Sequence, residues 1–202
     1  RCRLSRFSRA GFRLSYWQRM VGLQRMSVIA PRAMRRIPGI LAAFWLGVGS
    51  SGWAAQSVQL RLADGFDFPV GPPNAAGYYK ARGMRLVSPL HYGDDWNGRG
   101  GGNTDLGAPI YSIADGVVTW AYDVTGGWGN VVIIRHAYRD PKSGRVRFCD
   151  ALYGHLHTFQ VRVDQEVKRG EKIGTMGSNR GMYPAHLHFE IRHNISIGMQ
   201  RD

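Results

Sequence analysis

The sequence predicts an all-β fold, mainly antiparallel and of the sheet or sandwich type, with few or no helices after the leader. Three observations carry this. Beyond residue 55 the apolar runs are short and broken by glycine, which supplies 27 of the 202 positions, about twice the average usage. Several runs alternate apolar and polar side chains, the period-2 pattern of a strand with one buried face. No stretch after the leader carries apolar residues at helical spacing over about 12 residues. With 44% hydrophobic and 20% charged residues, the chain can bury a core, which excludes a disordered polypeptide. The length suits one domain plus an appended segment.

The elements follow in order. Residues 56–87 scatter Phe66, Phe68, Pro69, Pro72, Pro73, Tyr78 and Tyr79 among glycines and read as an extended lead-in that wraps onto the domain. Residues 88–202 are the expected domain. Within it, the apolar run 110–113, a turn at Asp115-Gly116 and the run 117–121 read as a hairpin. Residues 131–134 form a continuous apolar strand, and Phe159, Val161 and Val163 alternate with Gln160 and Arg162 in another. Residues 186–191 make a further strand, and 140–150 an added hairpin or loop. The stretch 97–103, with Gly98, Gly100, Gly101 and Gly102, is a flexible loop, either a cleft rim or a plain connection.

The amino-terminal quarter reads as targeting sequence. Residues 1–25 are expected to be a non-native or read-through leader, because the chain starts without Met and Met20, Met26 and Met34 are all candidate starts. Residues 26–55 have the layout of a signal peptide. Arg32, Arg35 and Arg36 precede an uncharged stretch of 16 residues, 37–52, containing Leu41, Phe44, Trp45, Leu46 and Val48. It falls short of the roughly 20 residues that cross a bilayer, and the small residues Gly52, Ala54 and Ala55 offer cleavage positions. No cysteine adjoins it to accept a lipid. The expectation is a periplasmic or extracellular protein, secreted into the cell envelope as a monomer, with no stable membrane anchor after signal removal.

The net charge of +13 suggests nucleic acid until its distribution is read. Ten of the 27 Lys and Arg fall in the first 55 residues, which hold no acidic residue, leaving 17 basic against 14 acidic residues in the rest. A phosphate-binding groove needs its excess in the folded domain, so nucleic acid is excluded as a partner. Cys2 and Cys149 are too few for a thiolate zinc cluster and suggest no disulfide framework. Any metal must therefore use imidazole and carboxylate.

All seven histidines lie after residue 90: His91, His136, His155, His157, His186, His188 and His193. In His186-Leu187-His188, strand alternation puts both imidazoles on one face and Leu187 and Phe189 on the other. His91 and Asp95, four apart in His-Tyr-Gly-Asp-Asp, can reach one ion if Gly93 permits a tight turn; Asp94 competes with Asp95 for the role. His155 and His157 would share a face in Tyr-Gly-His-Leu-His. His136 reads as structural at the end of a buried strand, His157 and His193 as solvent-facing. Glu190, on the same side as His186 and His188 by alternation, is placed to hydrogen-bond a ligand.

In this order the motifs resemble the M23 family of zinc metallopeptidases, the lysostaphin and LytM type of peptidoglycan endopeptidase. The resemblance rests on His91-x-Gly-x-Asp95, Gly107-Ala108-Pro109-Ile110, Ala114-Asp115-Gly116-Val117-Val118, Gly129-Asn130-Val131-Val132 with His136, Tyr153-Gly154-His155-Leu156, Val167-Lys168-Arg169-Gly170 with Ile173-Gly174, and the run from His186 to Arg192. It implies one Zn2+ per chain held by His91, Asp95 and His188, with His155 and His186 as catalytic groups. Three protein ligands leave a fourth position for water, as catalytic zinc sites do. The base role falls to His186 and charge stabilisation to His155, the two being exchangeable. The implied activity is zinc-dependent hydrolysis of peptidoglycan cross-links or stem peptides. The alternative is a non-catalytic peptidoglycan-binding or hydrolase-activating module of the same fold. Few residues follow Arg192, so a C-terminus truncated relative to such domains is expected.

Overall fold

A computed structural model describes residues 59–199. The expected leader (1–25) and signal peptide (26–55) lie outside them. Among the described residues the architecture is β throughout, as the sequence predicts, and no helix is long and apolar enough to cross a membrane.

Among the described residues eleven strands form two sheets. The larger has the order β2 (Tyr78–Arg82), β3 (Asp94–Gly98), β11 (Leu187–Arg192), β7 (Val146–Leu156), β6 (Asn130–Arg139), β5 (Gly116–Asp123) and β9 (Glu166–Val167). Every pairing along this path is antiparallel. β1 (Leu62–Ala63) joins β6 in parallel at Ala137 and Tyr138, beyond the point where β5 stops at Arg135. The smaller sheet is β4 (Pro109–Tyr111), β10 (Lys172–Thr175) and β8 (Thr158–Phe159).

The lead-in is part of the domain's fabric. It supplies β1, the edge strand β2 and the fully buried Val70, and between them a five-residue turn at Gly71–Ala75 closed by the Ala76 N–H on the Gly71 carbonyl at 2.8 Å.

β6 and β7 are buried on both faces, which is why their sequences lack clean alternation. On one face Val132, Ile134, Ala151 and Tyr153 pack with Leu187 and Phe189 of β11 and with Ile110, Ile173 and Met176 from the small sheet. On the other, Val131, Ile133 and Leu152 form a second cluster with Val124, Trp120, Trp128 and Met199. The second face also carries His188 and Glu190, because His188 stands opposite Gly154 and Glu190 opposite Leu152.

Two expectations are corrected. The runs around Asp115-Gly116 are not a hairpin: β4 pairs with β10 and β5 with β6, so the chain crosses between sheets there. Gly116 keeps a negative φ; it is small because a Cβ would sit 2.6 Å from both the Arg135 carbonyl and His136 Nδ1. The strand expected over 159–163 is shortened to β8, although Val161 is buried between exposed Gln160 and Arg162. The segment 140–150 does form a hairpin, the β6–β7 connection, with Asp140 accepting from Lys142 N–H and Ser143 Oγ–H at its turn.

Candidate active site

Strand register assembles the centre. In β3 and β11, His188 lies directly across from Asp95, so a residue 93 positions away in sequence becomes a cross-strand neighbour on the same face. The same register settles the competition between the two aspartates. Asp94 points to the opposite face of β3, where it meets Lys80 Nζ at 3.3 Å. His91 arrives just before β3, held by a two-way backbone bridge to Arg85. Gly93, between them, keeps a negative φ, contrary to a glycine needed for a tight turn. Its requirement is space: a Cβ would lie 2.5 Å from the Phe189 carbonyl and 3.0 Å from His188 Nε2.

Three donor atoms converge. His91 Nε2 is 3.0 Å from Asp95 Oδ1, His188 Nδ1 is 3.1 Å from the same oxygen, and the two ring nitrogens are 3.2 Å apart. Among the described residues this is the one group of His, Cys, Asp or Glu whose ligand atoms cluster closely enough to hold a metal ion. Tetrahedral zinc with bonds of about 2.0–2.1 Å separates its ligands by about 3.3 Å, so the triangle is close to the required size. The opposite ring nitrogens fix the tautomers. His91 Nδ1 is 3.0 Å from the Gly83 carbonyl, which can only accept, so Nδ1 carries the proton and Nε2 the lone pair. His188 Nε2 is 2.9 Å from Glu190 Oε1 and donates to that carboxylate, so Nδ1 is the nitrogen whose lone pair serves a metal once the ring gives up its second proton. The donor set therefore suits a cation.

Electrostatics agree. Burial alone would depress the His188 pKa, but hydrogen bonds to Asp95 and Glu190 override it and push it up to about 9. A field that draws a proton onto this ring draws a cation equally. Burial would likewise raise the Asp95 carboxyl; the His188 hydrogen bond and the neighbouring imidazoles hold it below the ordinary value. Glu190 is also held low against burial, by His188 and by Arg192, whose Nε donates to Oε2 at 2.6 Å.

His155 and His186 complete the cluster, with ring centroids 4.8 Å apart. His186 sits one residue before β11, bridged to Gly177, and its Nε2 is 3.8 Å from Asp95 Oδ1. Its Nδ1 meets the Pro184 carbonyl at 2.8 Å, so Nε2 is the basic nitrogen. His155 is delivered by a β-bulge. Between the Val132–Tyr153 and Asn130–Leu156 pairs β7 holds an extra residue, and His155 adopts φ 59° there. Its N–H and Nδ1 both reach the Trp128 carbonyl at 3.1 Å. The bulge also overturns the shared face expected for His155 and His157: the first is buried, the second exposed and outside the cluster. Burial first, then the neighbouring His186 and His188, lower the His155 pKa to about 4, so it is neutral in ordinary buffers.

The remaining histidines lie elsewhere. His136 is fully buried, its Nδ1 on the Asp115 carbonyl at 2.9 Å. His193 is exposed beyond β11. Sequence reasoning missed Trp128 and Tyr183, the aromatic walls: Trp128 lies edge-on to His188 with centroids 5.2 Å apart, and Tyr183 is 5.1 Å from His155. The available signal was the lone tryptophan in Gly126-Gly127-Trp128-Gly129. The glycine-rich loop has a definite job, since Asn103 Oδ1 accepts the Ala185 N–H at 2.8 Å and thereby seats the residue preceding His186.

Comparison with known proteins sets this geometry in a lineage. The murein hydrolase activator NlpD of Escherichia coli (strain K12) is 42% identical over 87 residues, 43% of this chain and 20% of that protein. The DD-carboxypeptidase/endopeptidase Mpg of Neisseria meningitidis serogroup B (strain ATCC BAA-335 / MC58) is 39% identical over 88 residues, 44% of this chain and 18% of that protein. The chain thus spans only about a fifth of the length of these curated relatives. The crystal structure of the SpoIIIAH and SpoIIQ complex contains a chain similar in fold, with TM-score 0.51 and 19% identity over 64% of this chain and 92% of that one. The model of peptidase family M23 matches residues 91–197, more than half of the sequence, and the chain belongs to that family.

Proposed function

We propose that this protein is an exported zinc-dependent endopeptidase that hydrolyses peptide bonds in bacterial peptidoglycan, within cross-links or stem peptides. The observation that carries this reading is the convergence of three potential ligand atoms, His91 Nε2, Asp95 Oδ1 and His188 Nδ1, beside two further imidazoles whose own tautomers are fixed. A structural zinc site closes its fourth position with protein; here three protein donors form the group, and His155 and His186 stand next to it.

A zinc ion bound there supplies Lewis acidity toward the scissile carbonyl and acidifies a water. The chain's residues do the rest. His186, with its basic Nε2 beside Asp95, takes the proton from the attacking water and passes it to the departing amine. His155 is neutral with its Nδ1–H on the Trp128 carbonyl, so its Nε2 lone pair accepts from the attacking water and orients it; it can donate to the developing charge on the carbonyl oxygen only after Nε2 takes up a proton from that water. The two can exchange roles. Trp128 and Tyr183 flank the centre and limit access of bulk water.

The second reading is a non-catalytic module that binds peptidoglycan or activates another hydrolase, favoured by 42% identity to a protein named as an activator. Retention of all five centre residues weighs against it. The test incubates purified protein with isolated peptidoglycan, with zinc, with chelator, and with His186→Ala, and identifies the released fragments. Zinc-dependent peptide cleavage that His186→Ala abolishes, with metal content retained, is expected. Equal release with and without chelator refutes metal catalysis. No release by any form, together with stimulation of a separate murein hydrolase, favours the activator. Location in the cell envelope and a monomeric state belong to the same proposal, to be checked by fractionation and sedimentation.

A further inference from the structure

The face of the large sheet that bears His188 is crossed by residues 193–199, which follow β11 as a strap. Two arginines pin it by its carbonyls. Arg135 Nη2 donates to Ile195 O at 2.9 Å while its guanidinium also grips Asp150 through Nε at 2.8 Å and Nη2 at 2.9 Å. Arg192 Nη1 donates to Gly198 O at 2.7 Å. The strap's last described residue, Met199, packs on Val124, Val131, Ile133 and Leu152.

The second pin is unlike the first in where its other end goes. Arg192 Nε donates to Glu190 Oε2 at 2.6 Å, and Glu190 Oε1 accepts from His188 Nε2 at 2.9 Å. A continuous run of hydrogen bonds thus leads from the strap backbone at Gly198 through Arg192 and Glu190 to the nitrogen opposite His188 Nδ1. The run begins at an exposed hydrogen bond to Gly198 and becomes drier toward the centre, with side-chain exposure of 15% for Arg192, 4% for Glu190 and 8% for His188. Arg192 spends different nitrogens on its two partners, so holding Gly198 O fixes the plane of the guanidinium and hence where Nε meets the carboxylate. Without that hold the flexible arginine stem leaves Glu190 a partner that wanders, and His188 loses its fixed orientation.

We propose that Arg192 is a positioning residue that couples the seating of the 193–199 strap to the orientation of His188 as a metal ligand. This rests on the metal-site reading proposed above. A strap lifted by a partner or by proteolysis would loosen the ion without touching any of its ligands.

The test measures zinc affinity by competition with a chelator for the full chain and for Arg192→Leu, Arg192→Lys, Gly198→Pro and the Arg192→Leu/Gly198→Pro double variant, with a melting temperature for each. Gly198 has φ 61°, which proline cannot adopt, so the substitution displaces its carbonyl. Arg192→Leu is expected to weaken zinc by about tenfold or more, and Arg192→Lys, which keeps a charged donor for Glu190, to recover part of the loss. Gly198→Pro is expected to weaken zinc several-fold, and the double variant to be no weaker than Arg192→Leu alone. The absorption of the cobalt-substituted protein should shift in Arg192→Leu, reporting altered ligand geometry. Melting temperatures that fall while zinc affinity and the cobalt spectrum stay unchanged overturn the coupling, as does strict additivity in the double variant. A wild-type chain that binds no zinc removes the metal-site reading and the coupling together; tight wild-type binding untouched by Arg192→Leu removes only the coupling. If Arg192→Leu fails to fold, Arg192→Lys and Gly198→Pro carry the same comparison.

Discussion

Glu190→Gln isolates the electrostatic part of the site, because the amide keeps the size of the carboxylate and only one of its two acceptor oxygens. In the native chain Oε1 accepts from His188 Nε2 and Oε2 from Arg192 Nε. A glutamine must turn its NH2 toward one of these two donors. Arginine cannot give up its proton, so the amide oxygen stays with Arg192 and the NH2 faces His188. The imidazole can relieve this donor-to-donor clash only by moving its proton from Nε2 to Nδ1, the nitrogen that faces Asp95 and His91. A protonated Nδ1 cannot bind metal. The lost interaction is a hydrogen bond to a charged group in a site that is 4% exposed, worth about 1.5–3 kcal/mol. At about 1.4 kcal/mol per factor of ten, zinc affinity should fall by about 10- to 100-fold. The assay is chelator competition at pH 7.5, with far-ultraviolet circular dichroism to verify that the sheet is intact. A folded Glu190→Gln protein binding zinc within threefold of wild type would refute the tautomer argument, because its geometry leaves the amide no harmless orientation.

Zinc uptake should release close to one proton at pH 7, because the His188 ring stands at about 9 in the metal-free chain and must be deprotonated to bind; calorimetry in two buffers of different ionisation enthalpy reads this directly, and zero release contradicts it. His155 contributes an acid-labile term to stability. Its folded pKa of about 4 lies below the unfolded value of ~6.5, so this contribution is complete above pH 6.5, is lost as pH falls through 4, and amounts to about 3 kcal/mol between those limits; urea midpoints should decline across that window, less steeply in His155→Gln. Tyr153→Phe removes the acceptor of the buried Ile113 N–H, a 3.1 Å bond, and should cost about 1–3 kcal/mol, read as a lower melting temperature with zinc affinity unchanged. Asn103→Ala frees the Ala185 N–H and should lower kcat through His186 while leaving metal content intact; unaltered turnover would reduce the glycine-rich loop to a simple connection.

Much of the centre was legible because strand chemistry is periodic. The spacing of His188 and Glu190 alone puts them on one face, and the structure adds their hydrogen bond. What was not legible depends on pairing across long separations. Nothing local in Asp94-Asp95 reveals which carboxylate faces His188; the β3–β11 register decides it. Asp115-Gly116 is the same dipeptide whether the flanking strands pair or part to different sheets; the distant partners β10 and β6 decide it. His155 escaped the alternation rule because a bulge is invisible in composition, and Trp128 because its contribution is a backbone carbonyl as much as a ring.

The facing of Asp95 and His188 across two strands has a consequence for how this centre can change over generations. Sliding β11 by a single position would aim Leu187 at Asp95 and bury an imidazole among Tyr153 and Ile134. A single-residue insertion or deletion inside β3 or β11 therefore turns a ligand to the wrong face unless a bulge absorbs it, as one does beside His155. A change of length in the connections, such as the glycine-rich stretch after Asn97 or the tip near Asp140, leaves the paired strands in step.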